Sequence, residues 1–159
     1  MNKPVAEESG SAQSLMGIPT AVDLLPYLMN RLTSKINRMW LLELRPHGLT
    51  IPRWQVLSIL KVMDGCRIGE LAEMAGSEQA VLSRVVDQMQ RDGLIERRPA
   101  AEDSRATEVW ITPSGDSLYQ QLLPQAARHV DRLVRAFDDG EASQMAQSLE
   151  KMLDDIAGQ

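Results

Sequence analysis

Residues 76–115 read GSEQAVLSRVVDQMQRDGLIERRPAAEDSRATEVWITPSG, and the order of patterns in this stretch decides the fold. Leu82, Val85, Val86 and Met89 repeat at i, i+3, i+4 and i+7, the spacing of one buried helix face. Asp92-Gly93 ends that pattern, and Leu94–Arg98 follows as a strand-like run. A polar turn carrying Arg105 leads to a second strand-like run, Glu108–Ile111. Helix, strand, charged loop and strand in this order make the plan of a winged helix-turn-helix. Such a plan offers a helix to one groove of a duplex and a loop to a neighbouring groove.

The opposite face of the helix predicted over Ser77–Arg91 carries Ala80, Arg84, Asp87 and Arg91, flanked by Ser77, Ser83 and Gln88. Its N-terminal end is small and polar. Short side chains there let backbone approach base edges, and the first amides of the helix favour phosphate. Ser77 is expected to cap this helix, and Gly76 to close a shorter one over Gly69–Ala75. Cys66-Arg67-Ile68 is long enough only for a single edge strand, so the wing is expected to hold two or three strands.

Working outward, Ala21–Leu44 reads as a long amphipathic helix with Leu25, Leu28, Met29, Leu32, Ile36, Met39 and Trp40 on one stripe. Thr50 is placed as the cap of a helix over Pro52–Met63 that turns Trp54, Leu57 and Leu60 inward. On the other side, Thr112-Pro113 restarts a helix through cap and proline. Pro124 is expected to kink or split it, with a second part over Gln125–Phe137. Asp138-Asp139-Gly140 reads as a turn before a last helix over Glu141–Ile156. These outer helices carry more apolar stripe than a module of this size buries, which points to a symmetric dimer. The expected division is a tail over 1–19, a dimerisation helix over 20–48, a DNA-binding module over 49–112 and dimerisation helices over 113–159. The class is mainly α, a winged helix-turn-helix with a helical dimerisation region.

The chain has 159 residues and a net charge of −5, which argues against a protein that coats DNA indiscriminately. Between Arg84 and Arg105 acidic and basic side chains are equal in number, so any DNA-facing charge must be sorted in space. That balance also predicts a shallow dependence of DNA affinity on salt. No apolar run reaches the ~20 residues of a membrane span, and the N-terminus lacks a secretory pattern. With Cys66 the only cysteine, neither an intrachain disulfide nor cysteine-paired zinc is expected, and a cytoplasmic location follows. His47 and His129 lie far apart in sequence without paired acids, so no metal site is expected. Nucleophile motifs and phosphate loops are lacking too, so neither catalysis nor a cofactor is expected.

Leu71-Ala72-Glu73, Ser83–Met89, Asp92–Arg97, Asp103-Ser104-Arg105-Ala106 and Ile111–Gly115 together resemble the MarR family (multiple antibiotic resistance type regulators). The match in order and spacing spans Thr50–Gly115, and the flanking helices fit that family's dimerisation region. The resemblance implies a homodimeric transcription factor on a pseudo-palindromic operator, in many members a repressor released by a small aromatic ligand. Two positions depart from the family pattern. Ser104 stands where the wing often has a second arginine, and Ala80 stands where proline is frequent.

By this resemblance Arg105 is the wing arginine that enters the minor groove, a placement suited to the negative potential of a narrow A·T tract. Asp103 would orient it, and Arg97 would support the wing. Ser77, Gln79, Ala80, Ser83 and Arg84 are the candidate major-groove contacts, with a helix-surface pair between Arg84 and Asp87 or Gln88 as the competing reading. Effectors of such regulators lodge where the first helix meets the DNA-binding module. Here Arg38, Trp40, His47, Arg53 and Trp54 lie in that region, as aromatic walls with a cationic anchor for an aromatic carboxylate. The bland alternative is that both tryptophans are core. A switch through oxidation of Cys66 and a protein-docking role for the winged helix are the other two readings.

Overall fold

The computed structural model describes residues 23–63, 65–100 and 106–158. The element order is α1 (Leu25–Leu44), a single 3-10 turn (Arg45–His47), α2 (Ile51–Val62), β1 (Cys66–Arg67), α3 (Ile68–Met74), α4 (Gln79–Arg91), β2 (Ile95–Pro99), β3 (Thr107–Ile111), α5 (Pro113–Val134) and α6 (Asp139–Ala157). This is the mainly helical winged helix-turn-helix that the patterning predicts. The chain divides into two units, residues 1–36 and 37–159. Within the first, Leu25, Tyr27, Leu28, Met29 and Leu32 are all exposed.

The second unit holds the core. Leu57 and Leu60 of α2, Leu71 of α3, Leu82, Val86 and Met89 of α4, Ile95 of β2, Val109 of β3 and Leu122 of α5 are fully buried in one cluster. The period-four face of α4 therefore lies on α2 and α3, which fixes its other face outward. The wing is a three-stranded antiparallel sheet in the order β1-β3-β2. Its register pairs Ile95 with Ile111, Arg97 with Val109 and Arg98 with Glu108. Directly opposed residues share a face, so Ile95, Arg97, Val109 and Ile111 point inward while Glu96, Arg98, Glu108 and Trp110 point outward.

Three local expectations change. Ser77 does not cap α4. Its N–H donates to the Ala72 carbonyl (2.9 Å) and closes α3 with Gly76 at φ +58°, so Glu78 becomes the α4 N-cap and contributes no side-chain bond. Pro124 does not split the helix, since α5 is continuous through it. Pro124 and Gln120, whose carbonyl loses its partner, are both exposed, so water can serve that carbonyl. Asp138 begins α6 instead of a separate turn. Its Oδ1 accepts the Glu141 N–H (2.9 Å) while a Glu141 carboxylate oxygen accepts the Asp138 N–H (3.0 Å), a reciprocal cap.

The Thr112 cap is as expected. Its hydroxyl accepts the Gly115 N–H (3.1 Å) and donates to the Gly93 carbonyl (2.7 Å), tying α5 to the turn after α4. A Cβ at Gly115 would sit 2.0 Å from the Leu94 carbonyl oxygen, so this crossing needs glycine.

Candidate nucleic-acid interface

The outward face of α4 presents Gln79, Ala80, Val81 and Arg84 to solvent, with Ser77 and Ser83 half-buried at its edge. Five of the six groove-facing candidates thus share one short surface. The sixth, Arg105, and its expected partner Asp103 lie outside the described residues. The last described wing contact is the Ala100 N–H donating to the Ala106 carbonyl (2.9 Å), which holds the two strands together at the base of that tip.

Three carboxylates on and after α4, those of Asp87, Asp92 and Glu96, are each paired with a cation, whereas the exposed Glu78 at its N-cap forms no ion pair among the described residues. Asp87 accepts from Arg97 Nη2 (2.6 Å), whose Nη1 donates to Gln90 (2.8 Å). Arg97 faces inward beside Val109, and this turns its guanidinium onto α4. Asp92 pairs with Arg53, and Glu96 pairs with Arg98. Arg98 also lies 4.8 Å from the centre of the Trp110 ring, and that ring leaves no room for a Cβ at Gly65. Trp110 is therefore wing packing. Arg84 and Arg91 form no ion pair among the described residues, so the Arg84–Asp87 helix pair of the competing reading does not form. Among the described residues, pairing takes up Asp87, Asp92 and Glu96 and leaves Arg84 and Arg91 as unpaired cations on the exposed side of α4.

Behind this face lies an aromatic cluster. Trp40 and Trp54 meet edge to face, with centroids 5.2 Å apart. Trp54 stacks on Tyr119 (5.0 Å, 14° between planes), and Trp40 stacks on His129 (5.1 Å, 28°). The sequence reading brought the two tryptophans together but missed both α5 partners. Their signal was available: Tyr119, Leu122, Ala126 and His129 follow a +3, +4, +3 helical stripe. His129 is buried, and neither ring nitrogen has a hydrogen-bond partner among the described residues. Burial first, and Arg132 second, lower its pKa below the usual imidazole value, with Glu43 opposing them.

The remaining junction candidates part company from the tryptophans. Arg53 donates to the Gly48 carbonyl (2.8 Å) and pairs with Asp92, so its guanidinium joins the start of α2 to the turn after α4. Arg38 is exposed and His47 half-buried, and neither forms a hydrogen bond or ion pair among the described residues. Cys66 is buried, and its thiol donates to the Met63 carbonyl (2.6 Å). Among the described residues no three His, Cys, Asp or Glu side chains gather as a metal site, and no helix is long and apolar enough to cross a membrane.

The MarR family model matches residues 49–107, which run from the start of α2 into the wing. A MarR family transcriptional regulator from Silicibacter pomeroyi is 34% identical in its crystal structure. The similarity covers 85% of this chain and 91% of that one, with a TM-score of 0.76. The transcriptional repressor IacR of Pseudomonas putida is 27% identical over 120 residues, 76% of this chain and 70% of its own length. The structure of Bordetella bronchiseptica BpsR, whose DNA binding is regulated by 6-hydroxynicotinic acid, shares the fold (TM-score 0.73, 20% identity, 80% of this chain and 97% of that one). With the winged helix and a third of the aligned residues shared with a family member over 85% of its length, this chain belongs to the MarR family of DNA-binding transcriptional regulators and is not an enzyme.

Proposed function

We propose that this protein is a homodimeric repressor whose two copies hold their α4 helices in successive major grooves of a pseudo-palindromic operator. The observation that carries the reading is the exposed Arg84, unpaired among the described residues, on an α4 face where Asp87 and Asp92 are held by other cations. In this reading Ser77, Gln79, Ala80, Ser83 and Arg84 approach base edges and phosphates. Arg105 enters the flanking minor groove, oriented by Asp103, while Arg97 fixes the wing. Residues 20–48 and 113–159 form the dimer contact, and residues 49–112 the reading head.

The dimer part of the proposal draws support from the apolar side chains left exposed on each unit. Leu28 and Leu32 are about half exposed, as are Met145 and Leu149 to a lesser degree, and Leu153 and Ile156 are two-thirds exposed. Repression follows the named role of the Pseudomonas putida relative. A small aromatic ligand would act at the junction of Trp40 and Trp54, with Tyr119 and His129 added to the wall and Arg38 and His47 at its edge. The regulation of BpsR by a pyridine carboxylate supports that class. Arg53 would act there through its bond to Asp92 and not as a ligand anchor. A ligand changing the spacing of the two α4 helices would alter affinity by shifting populations.

The test is a gel shift of the protein's own promoter fragment, challenged with specific and scrambled competitor DNA. Arg84→Ala and Arg105→Ala should each weaken binding about ten- to a hundredfold while leaving the dimer intact. Unchanged affinity in both variants would contradict the proposal.

A further inference from the structure

We infer that Arg97 is a positioning residue for DNA binding. By holding Asp87 it keeps that carboxylate away from Arg84 and leaves the Arg84 guanidinium for the duplex. The inference rests on the reading of α4 as the DNA-facing helix, and it adds a residue that touches no DNA.

Asp87 sits between two cations of its own helix. Arg84 lies three residues before it and Arg91 four residues after it, both at distances where side chains on a helix surface pair readily. In isolation α4 would therefore satisfy Asp87 locally and lose a cation from its outward face. The structure assigns Asp87 to a third competitor from another element. Arg97 Nη2 approaches the carboxylate to 2.6 Å, and Nη1 is held by Gln90 at 2.8 Å. The guanidinium is thus fixed at two points before any DNA arrives. Its strand position adds to this, because its register partner Val109 is buried and Arg97 shares that inward face. The Arg97 side chain is only 24% exposed, against 45% for Asp87, so the pair is less screened than a surface pair between Arg84 and Asp87.

The wing strand consequently does two things through one side chain. It braces itself against α4, and it takes up the carboxylate that would otherwise pair with a cation of α4. Freed from Arg97, the Asp87 carboxylate would be open to Arg84 as well as to Arg91, and wherever it pairs with Arg84 a duplex would meet a neutral pair instead of a cation.

The test uses the full-length protein and a promoter fragment that the wild type shifts. Arg97→Met keeps the apolar stem that packs at this half-buried position and removes only the fork. We expect its dissociation constant to rise roughly tenfold. The slope of log affinity against log salt should flatten by about two per dimer, one Arg84 contact from each protomer. Adding Asp87→Asn to Arg97→Met should restore affinity to within about threefold and restore the slope, because the competitor for Arg84 has gone. Adding Glu150→Gln on α6 instead corrects the net charge equally and should restore neither. Arg97→Gln serves as the second variant if Arg97→Met does not fold, with the same pair of additions. Three results overturn the inference: unchanged binding in the Arg97 variant, a loss that Asp87→Asn does not repair, or equal repair by Glu150→Gln. Failure of the underlying reading is separately visible, as Arg84→Ala would then bind like the wild type.

Discussion

His129 shows how a single side chain ties packing to pH. Its ring lies flat on Trp40, both nitrogens are buried without partners among the described residues, and burial and Arg132 together lower its pKa while Glu43 opposes them. The unfolded chain takes up the proton near pH ~6.5, whereas the folded chain resists it. A group of this kind contributes full stability above its unfolded pKa, and that contribution is lost as pH falls from there toward the folded value. The melting temperature should therefore drop between pH 7.5 and 5.5, and His129→Phe should remove that component. An equal drop in His129→Phe would place its cause elsewhere. Cys66 supplies a second prediction at this scale. Its thiol is buried and donates to Met63, so peroxide should leave operator binding unchanged in the wild type as in Cys66→Ser. Weakening by peroxide in the wild type alone would restore the redox reading.

Among the elements, the crossing of α5 with the turn after α4 has the least tolerance. Gly115→Ala would drive a Cβ against a backbone oxygen that cannot rotate away. We expect a loss of roughly 3 kcal/mol in urea unfolding, the upper range for a steric clash in a packed site. Thr112→Ala should cost about 1–2 kcal/mol, since it removes both a cap and the bond to Gly93. Full stability of Gly115→Ala would mean that α5 can be displaced from Leu94. The elements themselves were legible because their signals are local: the +3/+4 repeat of Leu82–Met89, and the cap and proline of Thr112-Pro113. Signals with two local readings were misassigned. Ser77 has the chemistry of a cap, but its amide was needed to close α3, and Asp138-Asp139-Gly140 reads as a turn until Glu141 is recognised as the second half of a reciprocal cap. Of the candidate site residues, those on α4 could be grouped on one surface from the sequence alone. Partners across the fold, such as Asp92 for Arg53 or Tyr119 and His129 for the two tryptophans, are chosen by tertiary packing, which no sequence period encodes.

For the whole molecule, the account depends on a second copy. Leu153 and Ile156 stay two-thirds exposed on an otherwise amphipathic α6, an arrangement that water disfavours unless another surface covers it. Leu153→Glu should yield monomers by light scattering and weaken operator binding more than a hundredfold, because each reading head would then bind alone. A stable dimer in that variant would locate the contact elsewhere. The most direct measurement is a combined dimethyl sulfate and hydroxyl-radical footprint on the genomic site that the purified protein selects. Two clusters of major-groove guanines should be protected on one face of the duplex, about 10 base pairs apart from centre to centre. A cut in minor-groove cleavage should flank each cluster, where the proposal places Arg105. A single unpaired cluster, or no selected site that outcompetes scrambled DNA, would contradict the account.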